Sequence, residues 1–299
     1  MKRTVFYIIA IIPMMLWGVS FVWSKVVFKY YSPITTTFLR LLISSILLII
    51  FLSVTRKFQK IKKEHYKIFF LLSLVDPFGY FLCESFGINL LPSVIASIII
   101  STIPLFSAFF GYFFMKERLT VFNFSGVFIS FVGIGIMVLK KDFSFIASPL
   151  GVLLIFGAVF FALIYSIIIK DLSQTYKPMT IIAVQNILAS FYFLPLFLIF
   201  DFDRFIMVKP NFELVSTLIM LTVLCSVLAF VIYIRTIKEI GIAKTNMFTN
   251  LISVFTLIAA YFIIDEVITL KSIVGMIVVI AGLYISQTHP KAMGNNVKV

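Results

Sequence analysis

Charge is scarce in this chain. Asp, Glu, Lys and Arg make up 12% of its 299 residues, while 62% are hydrophobic. So few charges could not cover the surface of a soluble domain of this length. Histidine is nearly absent. His65 and His289 stand alone, and neither joins an H-E-x-x-H run, a G-x-S-x-G elbow or a Cys/His cluster. Hydrolytic and metal-dependent catalysis therefore lack their residues. No G-x-x-x-x-G-K-[ST] sequence occurs, so drive by ATP would need another chain. The two cysteines, Cys83 and Cys225, fall inside predicted helices. They exclude a disulfide framework and read as packing residues. The expectation is a protein that is not an enzyme and holds no cofactor and no metal.

What the chain does have is long apolar runs, and a bilayer takes roughly 20 such residues per helix. The runs predict ten helices, near 5–27, 34–54, 67–90, 93–115, 122–140, 150–169, 178–200, 213–236, 243–264 and 270–288. Lys2-Arg3 before an apolar run imitates a signal peptide. That run is long, lacks a small-x-small site near its end and precedes nine more spans, so it is read as the first span, retained. The net charge of +13 is unevenly spread. With the N-terminus cytoplasmic, 17 of the 25 Lys and Arg fall inside and 7 outside, with Arg40 within a span. This bias places both termini in the cytoplasm and requires an even number of spans, as suits a multi-pass protein of a bacterial inner membrane. The basic loop Arg56–Lys67 reads as an anchor at anionic headgroups of the lipid bilayer. No aromatic platform or folded reader accompanies it, so nucleic acid is not an expected partner.

A nine-residue stretch occurs twice. Tyr112–Thr120 reads YFFMKERLT and Tyr261–Thr269 reads YFIIDEVIT, an offset of 149. At that offset Glu117, Gly126 and Gly133 fall on Glu266, Gly275 and Gly282. The start of each unit aligns at 145 instead, where Lys25, Pro33 and Arg40 fall on Lys170, Pro178 and Gln185. The chain thus reads as two copies of one unit, 1–145 and 146–290, with a tail at 291–299. Five helices per unit is an odd number, so the second copy is inverted. Lys25 then closes the first helix outside and Lys170 closes the sixth inside. Inverted repeats point to a transporter. Pro33 and Pro178 each open a helix, where a missing N–H costs nothing.

These residues resemble the EamA-type members of the drug/metabolite transporter superfamily. The resemblance rests on Trp17-Gly18 with Phe21 and Lys25, on Pro33 and Arg40, and on Pro104 thirteen residues before Glu117, with Gly126 and Gly133. In the second half Glu266, Gly275 and Gly282 follow the pattern, while Ser253 stands for the proline and Gln185 for the arginine. The resemblance covers nearly the whole chain. It implies ten transmembrane helices in two inverted five-helix repeats around a central substrate cavity, lined by the first, third and fourth helices of each unit. Many bacterial relatives resemble exporters of amino acids or other small metabolites.

Ionisable groups within a membrane need a partner or a task. Arg40 and Glu84 lie about six residues below the outer ends of helices two and three, roughly 9 Å deep at the helical rise. Equal depth suggests an ion pair, either a permanent structural bridge or an outer gate. Asp76 precedes Pro77, which breaks the helical ladder and biases Asp76 away from helical angles. Asp76 is read either as the cap of a second half-helix or as a substrate or proton site. Asp76, Tyr80 and Glu84 share one face at i, i+4, i+8. The second unit has Cys225, Ala229 and Tyr233 at those places, so the acids belong to one half only. That half offers Tyr165, Ser166, Gln185, Asn186, Tyr233, Asn246 and Asn250. Asn246 and Asn250 can present two amides to a ligand or bond between helices. Mid-helix Trp17 either packs or lines the cavity. Glu117 and Glu266 read as bridges or caps. Glycines 126, 133, 135, 275 and 282 offer a close-packing face, internal or dimeric.

The expectation is a secondary transporter that moves a small metabolite, an amino acid or related compound, outward by alternating access. Candidate substrate-binding residues are Trp17, Asp76, Tyr80, Glu84, Tyr165, Gln185, Asn246 and Asn250, with Arg40 and Glu84 as the gate and protons as a candidate partner. The chain is expected as a monomer or homodimer. The alternatives are an efflux carrier for amphiphilic cations and a membrane scaffold or enzyme.

Overall fold

The structure is a computed structural model that describes residues 3–115, 120–139 and 147–287. Glu117, the basic Lys116 and Arg118 beside it, His289 and the tail at 291–299 lie outside the described residues, as do the side chains of Tyr112 and Phe113. Among the described residues eight helices are long and apolar enough to cross a membrane. They are Phe6–Phe28 (α1), Pro33–Val54 (α2), Lys63–Leu90 (α3), Val121–Val138 (α5), Pro149–Thr175 (α6), Pro178–Phe200 (α7), Phe212–Ile240 (α8) and Lys244–Ile264 (α9). Two shorter apolar helices lie among the described residues: Ser93–Ser107 (α4) and Leu270–Ser286 (α10). Large apolar side chains such as Phe128, Ile199, Phe262 and Ile277 face outward. A surface of that kind belongs in hydrocarbon, and the chain is a multi-pass membrane protein.

The helix starts follow from local chemistry. Ser32, Lys177 and Ser148 stand at N-cap positions, each followed by proline at the first helical position. Thr120 and Asn123 close a reciprocal capping box at the start of α5, which satisfies two orphan amides at once. Two starts are capped from a distant part of the chain. The Asp201 carboxylate accepts from the Thr35 amide at 3.1 Å, from the Thr35 hydroxyl at 2.9 Å and from the Ser32 hydroxyl. The Glu266 carboxylate accepts from the Ser93 and Val94 amides at 3.1 and 3.3 Å. Glu266 is therefore a helix cap, one of the two roles its sequence position suggested.

Among the described residues five helices are interrupted, α1 only by a turn at Ala10. In α3 a wide π-turn spans Leu74–Gly79, and the chain is extended at Asp76 (φ −145°, ψ 121°). In α8 a wide turn spans Leu221–Leu228. Adding the repeat offset of 149 to 74–79 gives 223–228, so the two turns correspond. The sequence predicts one unbroken helix over 93–115, but α4 runs as Ser93–Ile100 and Ile103–Met115. Pro104 lacks the amide that would continue the ladder, and the Thr102 hydroxyl turns back to the Ile99 carbonyl at 2.6 Å. In α9 a 3₁₀ turn spans Met247–Thr249. These last two interruptions meet, with the Ser101 hydroxyl donating to the Thr249 carbonyl at 3.2 Å.

The glycine face is an internal seam. A Cβ on Gly126 would lie 2.5 Å from the Gly282 carbonyl oxygen, and one on Gly133 would lie 2.8 Å from that of Gly275. The reverse contacts are equally close, at 2.7 Å in both cases. Contact numbers rise on α5 as they fall on α10, so the two helices run antiparallel. Between the glycines the Ser130 hydroxyl donates to the Val279 carbonyl at 3.3 Å, and Asn123 Nδ2 reaches the Ser286 carbonyl at 3.1 Å. Small residues that let backbones touch are the usual basis of helix association in lipid. Gly133→Leu would drive a branched side chain into backbone. It is expected to destabilise the protein by about 1–3 kcal/mol, the range for overpacking, seen as a lower unfolding temperature in detergent. Unfolding at the wild-type temperature would show that the seam is not tight.

Candidate functional site

A partly open cavity lies among the interrupted helices. Its volume is about 60 Å³, room for a few waters at roughly 10–15 Å³ each. Trp17 and Ser20 of α1, Arg40 of α2, Asp76, Tyr80 and Glu84 of α3, Tyr165 and Ser166 of α6, and Tyr233 of α8 line it, with Ile100 and Ile252 as apolar wall. Six of the sequence candidates are thus gathered in one place: Trp17, Arg40, Asp76, Tyr80, Glu84 and Tyr165.

Trp17 is a wall of this cavity, fixed on three sides. Its indole N–H donates to the Cys225 carbonyl at 3.2 Å, a carbonyl that belongs to the wide turn of α8. The ring meets Phe230 and Tyr233 edge-on, each with centroids 5.0 Å apart. Behind it α1 touches α9 at Gly18, where a Cβ would lie 2.6 Å from the Phe255 Cβ and 2.8 Å from the Ile252 carbonyl. The Thr256 hydroxyl donates to the Gly18 carbonyl at 2.9 Å. The smallest residue beside the largest therefore sets how far the indole enters.

Arg40 and Glu84 share the cavity, but they do not form the ion pair expected from their equal depth. Among the described residues no contact within 4.0 Å joins Arg40 to a carboxylate. Arg40 Nε instead donates to the Ser226 hydroxyl at 3.2 Å, and its guanidinium carbon lies 4.9 Å over the Phe81 ring. Glu84 Oε1 accepts from the Tyr80 hydroxyl at 2.8 Å. Equal depth fixes a coordinate along the helix but not the direction around it. Ser226, Phe81, Phe230 and Ser20 were not singled out from sequence. A signal existed for Ser226, a hydroxyl at the place in α8 that corresponds to Pro77.

Asp76 is 4% exposed and its Oδ1 has no hydrogen-bond partner. The extended backbone there satisfies the sequence expectation of a break, yet that oxygen caps no helix. Tyr165 lies near Asp76 and against Gln185, and its hydroxyl and Gln185 Oε1 fall short of a well-formed hydrogen bond. Gln185, Asn246 and Asn250 do not line the cavity itself. Asn246 Oδ1 accepts from the Tyr233 hydroxyl at 2.7 Å, an interhelical bond that fixes a cavity wall, while its Nδ2 and Asn250 Oδ1 remain without partners. Asn186 bonds Ser44 across α7 and α2 at 2.9 Å.

The basic loop is stapled to the α6–α7 junction. Gln59 accepts from the Lys177 amide at 2.9 Å and donates to the Thr175 carbonyl at 3.0 Å. His65 Nδ1 and the Tyr176 hydroxyl lie 2.6 Å apart. Lys57, Lys60, Lys63 and Lys67 remain exposed, while Lys62, also exposed, pairs with Glu64 at 3.5 Å.

A model of the EamA-like transporter family matches residues 4–139 and again 149–288. An uncharacterized transporter of Archaeoglobus fulgidus is 25% identical over 286 residues, which cover 94% of this chain and 96% of that one. The uncharacterized transporter YvbV of Bacillus subtilis is 22% identical, with 93% and 90% covered. A crystal structure aligns with a TM-score of 0.71 at 14% identity, over 96% of this chain and 99% of its own. That identity shows likeness of fold alone.

Trp17 and Trp23 are the only tryptophans, so Trp23→Phe leaves Trp17 as sole reporter. Its emission is expected to be blue-shifted and quenched far less by aqueous iodide than free tryptophan. Quenching as strong as in water would place the indole outside the cavity.

Proposed function

The chain belongs to the EamA-like transporter family, and on that premise we propose that it is a secondary transporter with its substrate site in the cavity beside Trp17. The proposed architecture is ten spans in two inverted five-helix units, 1–145 and 146–290, with both termini cytoplasmic. The proposed substrate is a small metabolite, an amino acid or a related compound, moved outward by alternating access. One observation carries this reading. The cavity holds a guanidinium and two carboxylates that do not pair with each other. Ionisable groups left without full partners in a membrane interior are costly, and a polar ligand that supplies the missing partners offsets the cost. The corresponding breaks in α3 and α8 add support, since interrupted helices mark substrate sites in transporters.

Direction follows from competition. If Asp76 holds either a proton or a substrate cation, but not both, each proton carried inward leaves room for one substrate carried outward. A bacterial proton gradient then drives export. A second reading, efflux of amphiphilic cations, is favoured by the same two acids against the aromatic walls Trp17, Phe81 and Phe230.

The test is counterflow in proteoliposomes with labelled amino acids, nucleosides and amphiphilic cations. Amino-acid exchange above that of protein-free liposomes is expected, and Asp76→Asn should abolish its response to a pH gradient while the protein stays monodisperse. An unchanged response would remove Asp76 from coupling. Exchange of amphiphilic cations alone would favour the second reading.

A further inference from the structure

Helices α2 and α7 lie antiparallel and are tied to each other at both ends. At one end Asp201, which follows α7, accepts from the Thr35 amide and hydroxyl and from the Ser32 hydroxyl at the start of α2. Beside it the Tyr30 hydroxyl donates to Glu213 Oε2 at 2.6 Å and accepts from Asn211 Nδ2 at 3.0 Å. At the other end Gln59, which follows α2, grips the start of α7. Its side chain accepts from the Lys177 amide at 2.9 Å, and its own amide donates to the Thr180 hydroxyl at 3.4 Å. Beside it the Tyr176 hydroxyl accepts from the Lys62 amide at 3.2 Å and meets His65 Nδ1 at 2.6 Å. Helix α2 has 22 residues, so the two clusters stand about 30 Å apart at the helical rise, on opposite faces of the bundle.

The repeat places the same device twice. At the offset of 145, Tyr31, Pro33 and Thr35 fall on Tyr176, Pro178 and Thr180. Tyr31 and Tyr176 are both buried. Each ring meets a phenylalanine from the other half of the chain, Phe205 and Phe69 respectively, with centroids 5.4 Å apart. The clusters also hold the ends of the helices that wall the cavity. Tyr30 and Asn211 stand at the ends of α1 and α8, which meet inside where the Trp17 indole donates to the Cys225 carbonyl. Lys62 and Tyr176 stand at the ends of α3 and α6, which bring Asp76 and Tyr165 to the cavity. Midway along, Asn186 Nδ2 of α7 donates to the Ser44 hydroxyl of α2 at 2.9 Å, so one end can part while the crossing holds.

Building on the transport reading, we propose that these two clusters are alternating latches. The cavity opens to one face when the Asp201 cluster releases and to the opposite face when the Gln59 cluster releases, with the Ser44–Asn186 contact as the pivot. Both latches are closed in this structure, and the cavity of about 60 Å³ is the space left between them. Parting either end draws cavity walls from both halves of the chain away from each other and enlarges that space. Each latch is a small set of hydrogen bonds at the helix ends, where water can replace the bonds that are lost, so the net cost of opening is modest.

The reporter is Ser20→Cys, at the cavity wall, in a full-length chain whose two cysteines are replaced by serine. Right-side-out and inside-out membrane vesicles are treated with a charged, impermeant thiol reagent, and the labelling rate is read from each face. Asp201→Ala is expected to raise the rate at least about tenfold from one face, and Gln59→Ala from the opposite face, the worth of one or two lost hydrogen bonds. Tyr30→Phe and Tyr176→Phe each remove a single hydroxyl, are expected to fold, and should show the same opposition with a several-fold rise. They carry the test if an alanine variant fails to stay monodisperse. Faster labelling from the same face in both variants, from both faces in either one, or from neither face overturns the proposal. Opposed labelling without counterflow of any solute sinks the transport reading and leaves the latches standing. Counterflow without opposed labelling does the reverse.

Discussion

Hydrocarbon offers no hydrogen-bond partner, so every amide or carbonyl freed by a broken helix must be satisfied within the protein. Two of the helix interruptions of this bundle, and one helix start, are built around that constraint. The Cys225 carbonyl takes the Trp17 indole. The Thr249 carbonyl takes the Ser101 hydroxyl. The first amides of α4 take Glu266. In each case the donor or acceptor comes from a distant part of the chain. The bonds that repair the helices are thus the same bonds that hold the two halves together, and the cavity is the space they enclose.

Electrostatics adds a second layer. Arg40 is 3% exposed and Glu84 7%, yet their partners are a hydroxyl, a ring face and a phenol. Weak partners keep such groups in place without neutralising them. A buried bidentate ion pair would be harder to open, because separating it leaves two uncompensated charges. The arrangement found here suits a site that must accept and release a charged ligand.

Much of this was legible in the sequence, because the repeat and the prolines are local signals. Pro33 and Pro178 mark helix starts, and Pro77 marks the break at Asp76. The glycines at 126, 133, 275 and 282 announced a tight seam without naming its partner, and the structure pairs them with one another. The break in α8 had no proline to announce it, and only the 149-residue offset pointed there. The site was less legible because it depends on rotation about helix axes. Depth along the axis suggested Arg40 against Glu84, whereas the direction of the side chain selects Ser226 and Phe81. Gln185, Asn246 and Asn250 carried the right chemistry for a polar wall, and the structure sets them just behind it. Capping of α2 by Asp201 joins residues 166 positions apart, beyond the reach of any pattern in the sequence.

The seam of α5 and α10 has one more consequence. Gly126 rests on the Gly282 carbonyl and Gly133 on that of Gly275, with Ser130 and Val279 between them. Sliding one helix past the other by a turn would set side chains against backbone where glycine now lies. These two helices are therefore interlocked, like teeth rather than greased rods. In the alternating access proposed above, this pair is the natural stator, a fixed frame for the movement of the other helices.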